Sequence, residues 1–152
     1  MAEYKDMYDL LMSDHNMVKG MIDETLQKRD PSKFQEIKTN LEIHMMGEER
    51  FFYPRLREKD KETMDKSYQE HHVGKLVLHE LKKLDKEDEH WMPKMKVLKD
   101  ILDHHIDEEE NQIFPESKRL LSAEQQDKIF SRLKQAKSLM TKPPMSKILE
   151  VR

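Results

Sequence analysis

Apolar residues recur at intervals of three and four along most of the chain, which is the spacing of one face of an α-helix. The spacing predicts a first helix over about residues 3–28, followed by apolar stripes over residues 34–52, 64–81 and 91–113. Short connections between helices of similar length favour antiparallel neighbours. We therefore predict an all-α, up-down-up-down four-helix bundle.

A shorter fifth helix is predicted after the bundle, because the run Ser122-Ala123-Glu124-Gln125 has the form of a capping box. This helix is expected to reach about Leu139. Residues 1–141 are predicted to form one domain, and residues 142–152 a tail that is frayed or draped on the bundle. The composition agrees with long helices, since only 3 Gly and 6 Pro occur in 152 residues.

Charge and composition narrow the class of protein. Charged residues make up 39% of the chain, but the net charge is only −3 and no basic stripe favours a nucleic-acid partner. No apolar run approaches the roughly 20 residues of a membrane span, and the N-terminus lacks the apolar region of a signal peptide. The absence of Cys excludes disulfides and Cys-ligated zinc or iron–sulfur sites. We expect a cytoplasmic protein with no membrane partner.

Each of the four apolar stripes contains one histidine: His15, His44, His71 and His105. His15 and His44 both lie about 13–15 residues, or roughly 20 Å along a helix, from the turn between their helices. The other neighbouring pairs stand at similar distances from their own turns. Antiparallel packing is therefore predicted to bring the four imidazoles to one level.

Two stretches place a carboxylate beside these histidines. HMMGEERFFYP (residues 44–54) and HIDEEENQIFP (residues 105–115) each have a Glu four residues after the His and a proline, expected to stop the helix, ten residues after it. A single such pair is common on helix surfaces, but the repetition on buried faces favours a metal centre that includes Glu48 and Glu109. Four imidazoles and two carboxylates suit two first-row metal ions, with iron first and manganese or zinc as alternatives.

Four further histidines are assigned to other places. His72 and His104 adjoin the predicted ligands, about 100° round the helix. His104 also has Glu108 four residues later, so a shift of register would favour it instead. His79 and His90 are interpreted as surface or loop residues.

Two glycines lie close to the predicted ligands. Gly47 stands between His44 and Glu48, and Gly74 is one turn beyond His71. Each weakens its helix by roughly 1 kcal/mol relative to Ala. Room for a cofactor and close helix packing are both reasons to place Gly there.

At these residues the chain resembles the hemerythrin-like family, also called HHE cation-binding domains, over about residues 3–139. The matching motifs are Asp14-His15, the two H-x3-E pairs, Glu70-His71, and Ile-Phe-Pro after the second pair. The resemblance implies a non-haem di-iron site in a four-helix bundle, where members of the family bind dioxygen, nitric oxide or peroxide. The implied ligands are His15, His44, Glu48, His71, His105 and Glu109.

The chain also differs from known members of the family that it resembles. Oxygen-carrying hemerythrins have H-x3-H in the third helix, where this chain has Ser67 at the earlier position, and H-x4-D in the last helix, where it has H-x3-E. One iron is therefore expected to be more open, or completed by water or a nearby group such as Tyr68. The related iron–sulfur repair proteins have an extra Cys-bearing segment, and this chain has no Cys.

Three classes of function follow. The first is a di-iron protein that binds O2 or NO for sensing, storage or scavenging. The second is a di-iron enzyme that reduces peroxide or O2, or oxidises Fe(II), with a neighbouring acid or Tyr68 handling protons. The third is iron storage or a metal-free interaction bundle.

Overall fold

The computed structural model describes residues 3–140, which form five long helices and no strand. Residues 142–152, predicted to be a tail, lie outside the described residues. The helices are α1 (Met7–Lys28), α2 (Phe34–Gly47, continued by Glu48–Phe52 and Tyr53–Arg57), α3 (Lys61–Lys83), α4 (Trp91–Glu108, continued by Glu109–Ile113 and Phe114–Leu120) and α5 (Ala123–Met140).

The first four helices form an up-down-up-down bundle, as predicted. α1 packs on α2 and α4, and α3 packs on α4, while α5 lies across α1 and α2. Over the described part of the chain, no helix combines the length and hydrophobicity that a bilayer crossing needs. The bundle therefore gives the predicted metal site a protein interior formed by four helices.

Side-chain caps define where several helices begin. The Asp6 carboxylate accepts a hydrogen bond from the Asp9 amide at the start of α1, and Asp60 serves α3 in the same way. Ahead of α5, the Ser122 amide donates to the Gln125 side chain at 2.9 Å, and the Gln125 amide donates to Ser122 Oγ at 3.1 Å. This reciprocal pair is the capping box predicted from the sequence.

Neither proline stops its helix directly: α2 ends at Arg57, soon after Pro54 as predicted, and α4 continues past Pro115 to Leu120. Glu48–Phe52 and Glu109–Ile113 are π-helical, so the Tyr53 amide donates to the Glu48 carbonyl and the Phe114 amide to the Glu109 carbonyl. A proline inside an α-helix clashes with the carbonyl four residues back and lacks an amide donor. Here each proline follows directly after one wide turn, which relieves that conflict.

The apolar core is divided into two clusters with the histidine layer between them. One cluster contains Leu11 and the aromatic rings that follow the π turns, and the other contains Val18, one turn beyond His15. Trp91 is fully buried in the second cluster, where its indole N–H donates to the Leu81 carbonyl at 3.2 Å. Polar side chains in the layer are therefore shielded from water on both sides.

Candidate metal centre

The four histidines predicted to share one level do converge. His15 Nε2 lies 3.2 Å from His44 Nε2, and the rings of His71 and His105 have centroids 4.8 Å apart. All four side chains are buried. The turns that connect the helices stand at similar distances from these residues, so antiparallel packing places one imidazole from each helix at about the same depth.

Two carboxylates complete two groups of possible ligands. Glu48 and Glu109 have 0% exposure, and both belong to each group. The first position is formed by His15, His44, Glu48 and Glu109, and the second position by Glu48, His71, His105 and Glu109. Within each group, one ligand atom from every residue lies within 4.8 Å of the others. Two adjacent cations could therefore share both carboxylates.

The chemistry of these atoms fits divalent or trivalent cations. Glu48 Oε2 and Glu109 Oε1 are buried and have no hydrogen-bond partner among residues 3–140, although Glu109 Oε1 lies 3.1 Å from His15 Nε2. An ionised oxygen buried in this way is unfavourable unless a cation or a donor compensates it. Imidazole nitrogen and carboxylate oxygen together are typical ligands of first-row metal ions. The cluster is therefore suited to hold metal.

An outer carboxylate holds each of the four imidazoles at its Nδ1 atom. The distances are 2.7 Å for His15 and Glu110, 3.0 Å for His44 and Asp14, 2.8 Å for His71 and Glu49, and 2.9 Å for His105 and Glu70. A carboxylate at Nδ1 favours the tautomer with its proton there, which leaves the Nε2 lone pair directed inward. Such outer partners also fix the orientation of a ligating ring.

These outer contacts repeat between the α1–α2 and α3–α4 hairpins. Asp14, which precedes His15 in the first hairpin, contacts His44 of that hairpin. Glu70, which precedes His71 in the second hairpin, contacts His105 in the same way. The acids that follow Glu48 and Glu109 each contact a histidine of the opposite hairpin, Glu49 with His71 and Glu110 with His15. The two hairpins therefore build the two positions in the same way.

The hairpins differ at the aromatic residue that follows each π turn. Tyr53 Oη lies 3.2 Å from both His71 Nε2 and His105 Nε2, and it donates a hydrogen bond to Glu109 Oε2 at 2.5 Å. Phe114 occupies the corresponding place in the other hairpin and presents only a ring face, stacked on an imidazole of the first position. The Tyr53 hydroxyl group therefore lies beside both histidines of the second position and also contacts the two shared carboxylates.

Tyr68 and Ser67, the residues considered for completing the second position, do not reach it. Tyr68 Oη donates to the Glu49 carbonyl at 3.2 Å, and Ser67 Oγ donates to the Thr63 carbonyl at 3.1 Å. The tyrosine whose hydroxyl group adjoins the second position is Tyr53 and not Tyr68. Ser67 shares the inward face of α3 with His71, but its short side chain bonds back to a carbonyl of its own helix.

Residues 6–117 match the family model described as Hemerythrin HHE cation binding domain. The chain belongs to the hemerythrin HHE cation-binding family. A protein of Nostoc sp. called DNA nickase is 31% identical over 138 residues, which is 86% of this chain and 38% of that protein. An uncharacterized hemerythrin-like protein of Schizosaccharomyces pombe is 30% identical over 128 residues, 82% of this chain and 61% of its own length.

The chain thus spans about two fifths and three fifths of the lengths of these two relatives. No solved structure matches it. The family membership agrees with the cation-binding chemistry of the buried His and Glu cluster, while the relatives' full lengths include regions that this chain does not cover.

The remaining histidines of this hemerythrin-family chain point outward. His72, His79 and His90 are exposed, and the side chain of His104 is 70% exposed. His104 Nε2 lies 3.7 Å from Glu108 on the surface of α4. The helix register therefore directs His71 and His105 inward, in place of their neighbours.

Two histidines of the cluster have raised pKa values before any cation binds. Burial would lower the pKa of His105, but its hydrogen bonds with Glu109 and Glu70 outweigh burial and raise that pKa to about 10. Burial is likewise outweighed at His44, whose pKa is raised well above its usual value by Glu48 and other carboxylates. A cation that takes the Nε2 atoms therefore has to displace protons.

A helix outside the bundle also reaches this hemerythrin centre. Lys137 on α5 pairs with Asp14, the carboxylate that holds His44. Burial would raise the pKa of Asp14, but the hydrogen bond with His44 and the pairing with Lys137 keep it below its usual value. The fifth helix thereby supports the first position from outside.

A small cavity of about 20 Å³ lies beside the histidine layer, on the side opposite Glu48 and Glu109. Its apolar lining comes from Val18, Leu41, Met45, Ile101, Leu102 and Ile106.

The two glycines near the ligands serve different purposes. A Cβ on Gly74, which also lines the cavity, would meet no heavy atom within 4 Å, whereas a Cβ on Gly47 would lie 2.8 Å from Leu133 Cδ2. Gly74 leaves space, and Gly47 allows α5 to pack closely.

Proposed function

We propose that this protein binds two iron ions, one at the first and one at the second position, and captures O2 or NO there for sensing, storage or scavenging. The observation that carries the proposal is the pair of overlapping, fully buried ligand groups that share Glu48 and Glu109. The proposed ligands are His15, His44, Glu48, His71, His105 and Glu109. Bound iron would supply an ion that can change its oxidation state and an open coordination site for a small gas.

The cavity beside the histidines supports a small ligand. Its volume of about 20 Å³ is close to the space that one or two water-sized molecules need. Its walls are largely aliphatic, with Gly74 leaving one side open. A weakly polar diatomic molecule suits such a space, and a larger organic substrate does not.

Tyr53 makes the two positions chemically unequal. Its hydroxyl can donate a hydrogen bond or hold a proton next to the second position, where it contacts both Nε2 atoms. At the first position, the Phe114 ring stacks on His15 and offers no hydroxyl group. Burial, followed by the charges of Glu109 and Glu48, raises the pKa of Tyr53 well above its usual value, so the hydroxyl keeps its proton at neutral pH.

That hydroxyl also favours a second candidate function, an enzyme that reduces peroxide or O2. Reduction of either molecule consumes protons, and Tyr53 with Glu109 would provide a donor within the centre. The two candidates differ in outcome, since a binding protein retains the gas unchanged and an enzyme turns it over.

Metal analysis of protein purified without air tests the proposal. We expect about two iron ions per chain, falling to about one in His44→Ala, with the exposed His79→Ala as control. Manganese or zinc in place of iron, or full iron content in His44→Ala, would contradict the assignment. Mixing the reduced protein with O2 separates the two functions, because a binder gives a stable, reversible absorption band and an enzyme oxidises rapidly and turns over peroxide.

A further inference from the structure

A groove with excess positive charge lies between α2 and α5, away from the cavity beside the histidines. Its volume is about 510 Å³, within the usual range of roughly 300–1,000 Å³ for small-molecule sites. Arg50 and Arg55 line it from α2, and Lys128 and Arg132 line it from α5. Glu124 is the one carboxylate among its lining residues. This excess contrasts with the net charge of −3 for the whole chain.

Three of these cations have no acidic partner among residues 3–140. Arg50, Lys128 and Arg132 form no ion pair within the described chain, and Arg55 reaches only Glu58, at 3.9 Å between two exposed side chains. Lys128 and Arg132 also stand four residues apart on one helix face, where like charges repel each other. An anion bound between them would remove that repulsion.

Two apolar residues, Phe51 and Ile129, also line the groove. Phe51 is partly buried there beside the buried Ile129, and Ser122 and Gln125 add hydroxyl and amide groups at one end. An aromatic face can stack on a planar ring, while guanidinium groups bind phosphate through paired hydrogen bonds. The groove thus combines features that recognise a ring with features that recognise a phosphate.

We propose that this groove binds a phosphate ester of mononucleotide size, with the phosphate among Arg50, Lys128 and Arg132 and the ring against Phe51. The limited extent of the positive surface favours a small ligand over an extended polyanion. Glu124 within the groove and Glu58 beside Arg55 would repel a chain of phosphates that continued past it. None of the residues that line the groove is a proposed metal ligand.

Calorimetric titration of the metal-loaded protein with AMP and with inorganic phosphate tests the site. AMP should bind more tightly than phosphate, and Lys128→Gln/Arg132→Gln should weaken AMP binding by at least about tenfold, because it removes two charge-assisted contacts. The matched control Lys86→Gln/Lys96→Gln removes two exposed charges elsewhere and should keep the wild-type Kd.

Several results would overturn the proposal. The Lys128→Gln/Arg132→Gln variant could bind AMP as tightly as the wild type, or AMP could fail to bind even at low salt. Equal Kd values for AMP and phosphate would remove the role of Phe51, and a single-stranded oligonucleotide bound more tightly than AMP would exclude the small ligand. All four substituted side chains are exposed, so unchanged melting temperatures would verify that each variant is folded.

Discussion

Gly74 borders the cavity beside the histidine layer, and replacing it tests whether that space serves a ligand. The informative substitutions are Gly74→Ala and Gly74→Leu. Gly20 provides the matched control, since it also lies inside a long helix and a Cβ there would meet nothing within 4 Å, but it is exposed to solvent. Any difference between the two positions therefore reports on the cavity and not on helix propensity.

The expected stability change can be worked out from these surroundings. Gly→Ala inside a helix gains about 1 kcal/mol at either position. At Gly74 the new methyl group is also buried without a clash, which adds up to about 0.8 kcal/mol. For a domain of this size, roughly 3 °C of melting temperature corresponds to 1 kcal/mol. We expect the melting temperature to rise by about 3 °C in Gly20→Ala and about 5 °C in Gly74→Ala.

The functional effect should separate the positions more clearly. A leucine at Gly74 would fill the cavity, so stopped-flow association of NO or O2 with the reduced, iron-loaded protein should slow by at least about tenfold, while Gly20→Leu should bind at the wild-type rate. Wild-type association in Gly74→Leu would refute a role for the cavity in gas binding. Destabilisation by Gly74→Ala would show that the space beside this residue is already filled.

Two further predictions concern the centre itself. Tyr53→Phe removes only a hydroxyl group, so it should change the absorption spectrum of bound iron. It should also lower the stability of the metal-free protein by about 1–3 kcal/mol, because a buried Glu109 oxygen loses its shorter hydrogen bond and keeps only the contact with His105. Tyr68→Phe should leave the spectrum unaltered, and an unaltered spectrum in both variants would exclude Tyr53 from the second position. The raised pKa of His105, about 10 against a usual 6.5, stabilises the metal-free fold fully below pH 6.5, and this contribution is lost as the pH rises through 10. Urea unfolding across that range should therefore show falling stability, and a rise would contradict the assignment.

The convergence of His15 and its three counterparts could be predicted from the sequence, because it depends only on helix rise and on the positions of the turns. The inward position of Tyr53 could not. In a continuous α-helix, Tyr53 would lie about 140° round from Glu48, but the π turn brings it over that residue. The sequence signal for this turn was the proline after each aromatic residue, which by itself suggests the end of a helix.

The outer carboxylates show a second limit of sequence analysis. Asp14 and Glu70 directly precede histidines, yet each holds a histidine on a neighbouring helix. Adjacent residues of a helix point about 100° apart, so their side chains face different neighbours. Assigning their partners requires knowledge of which helices touch, and periodicity along one helix contains no such information.

Neither hairpin contains all the ligands of either position. The first position takes Glu109 from the second hairpin, and the second position takes Glu48 from the first. Under the proposed assignment, each bound ion is thus a crosslink between the two halves of the polypeptide, comparable to a disulfide that forms only when metal is supplied. Without iron, the halves would be joined only by apolar contacts and by side-chain hydrogen bonds such as those of His15 with Glu110 and His71 with Glu49, so resistance to proteases would follow metal supply.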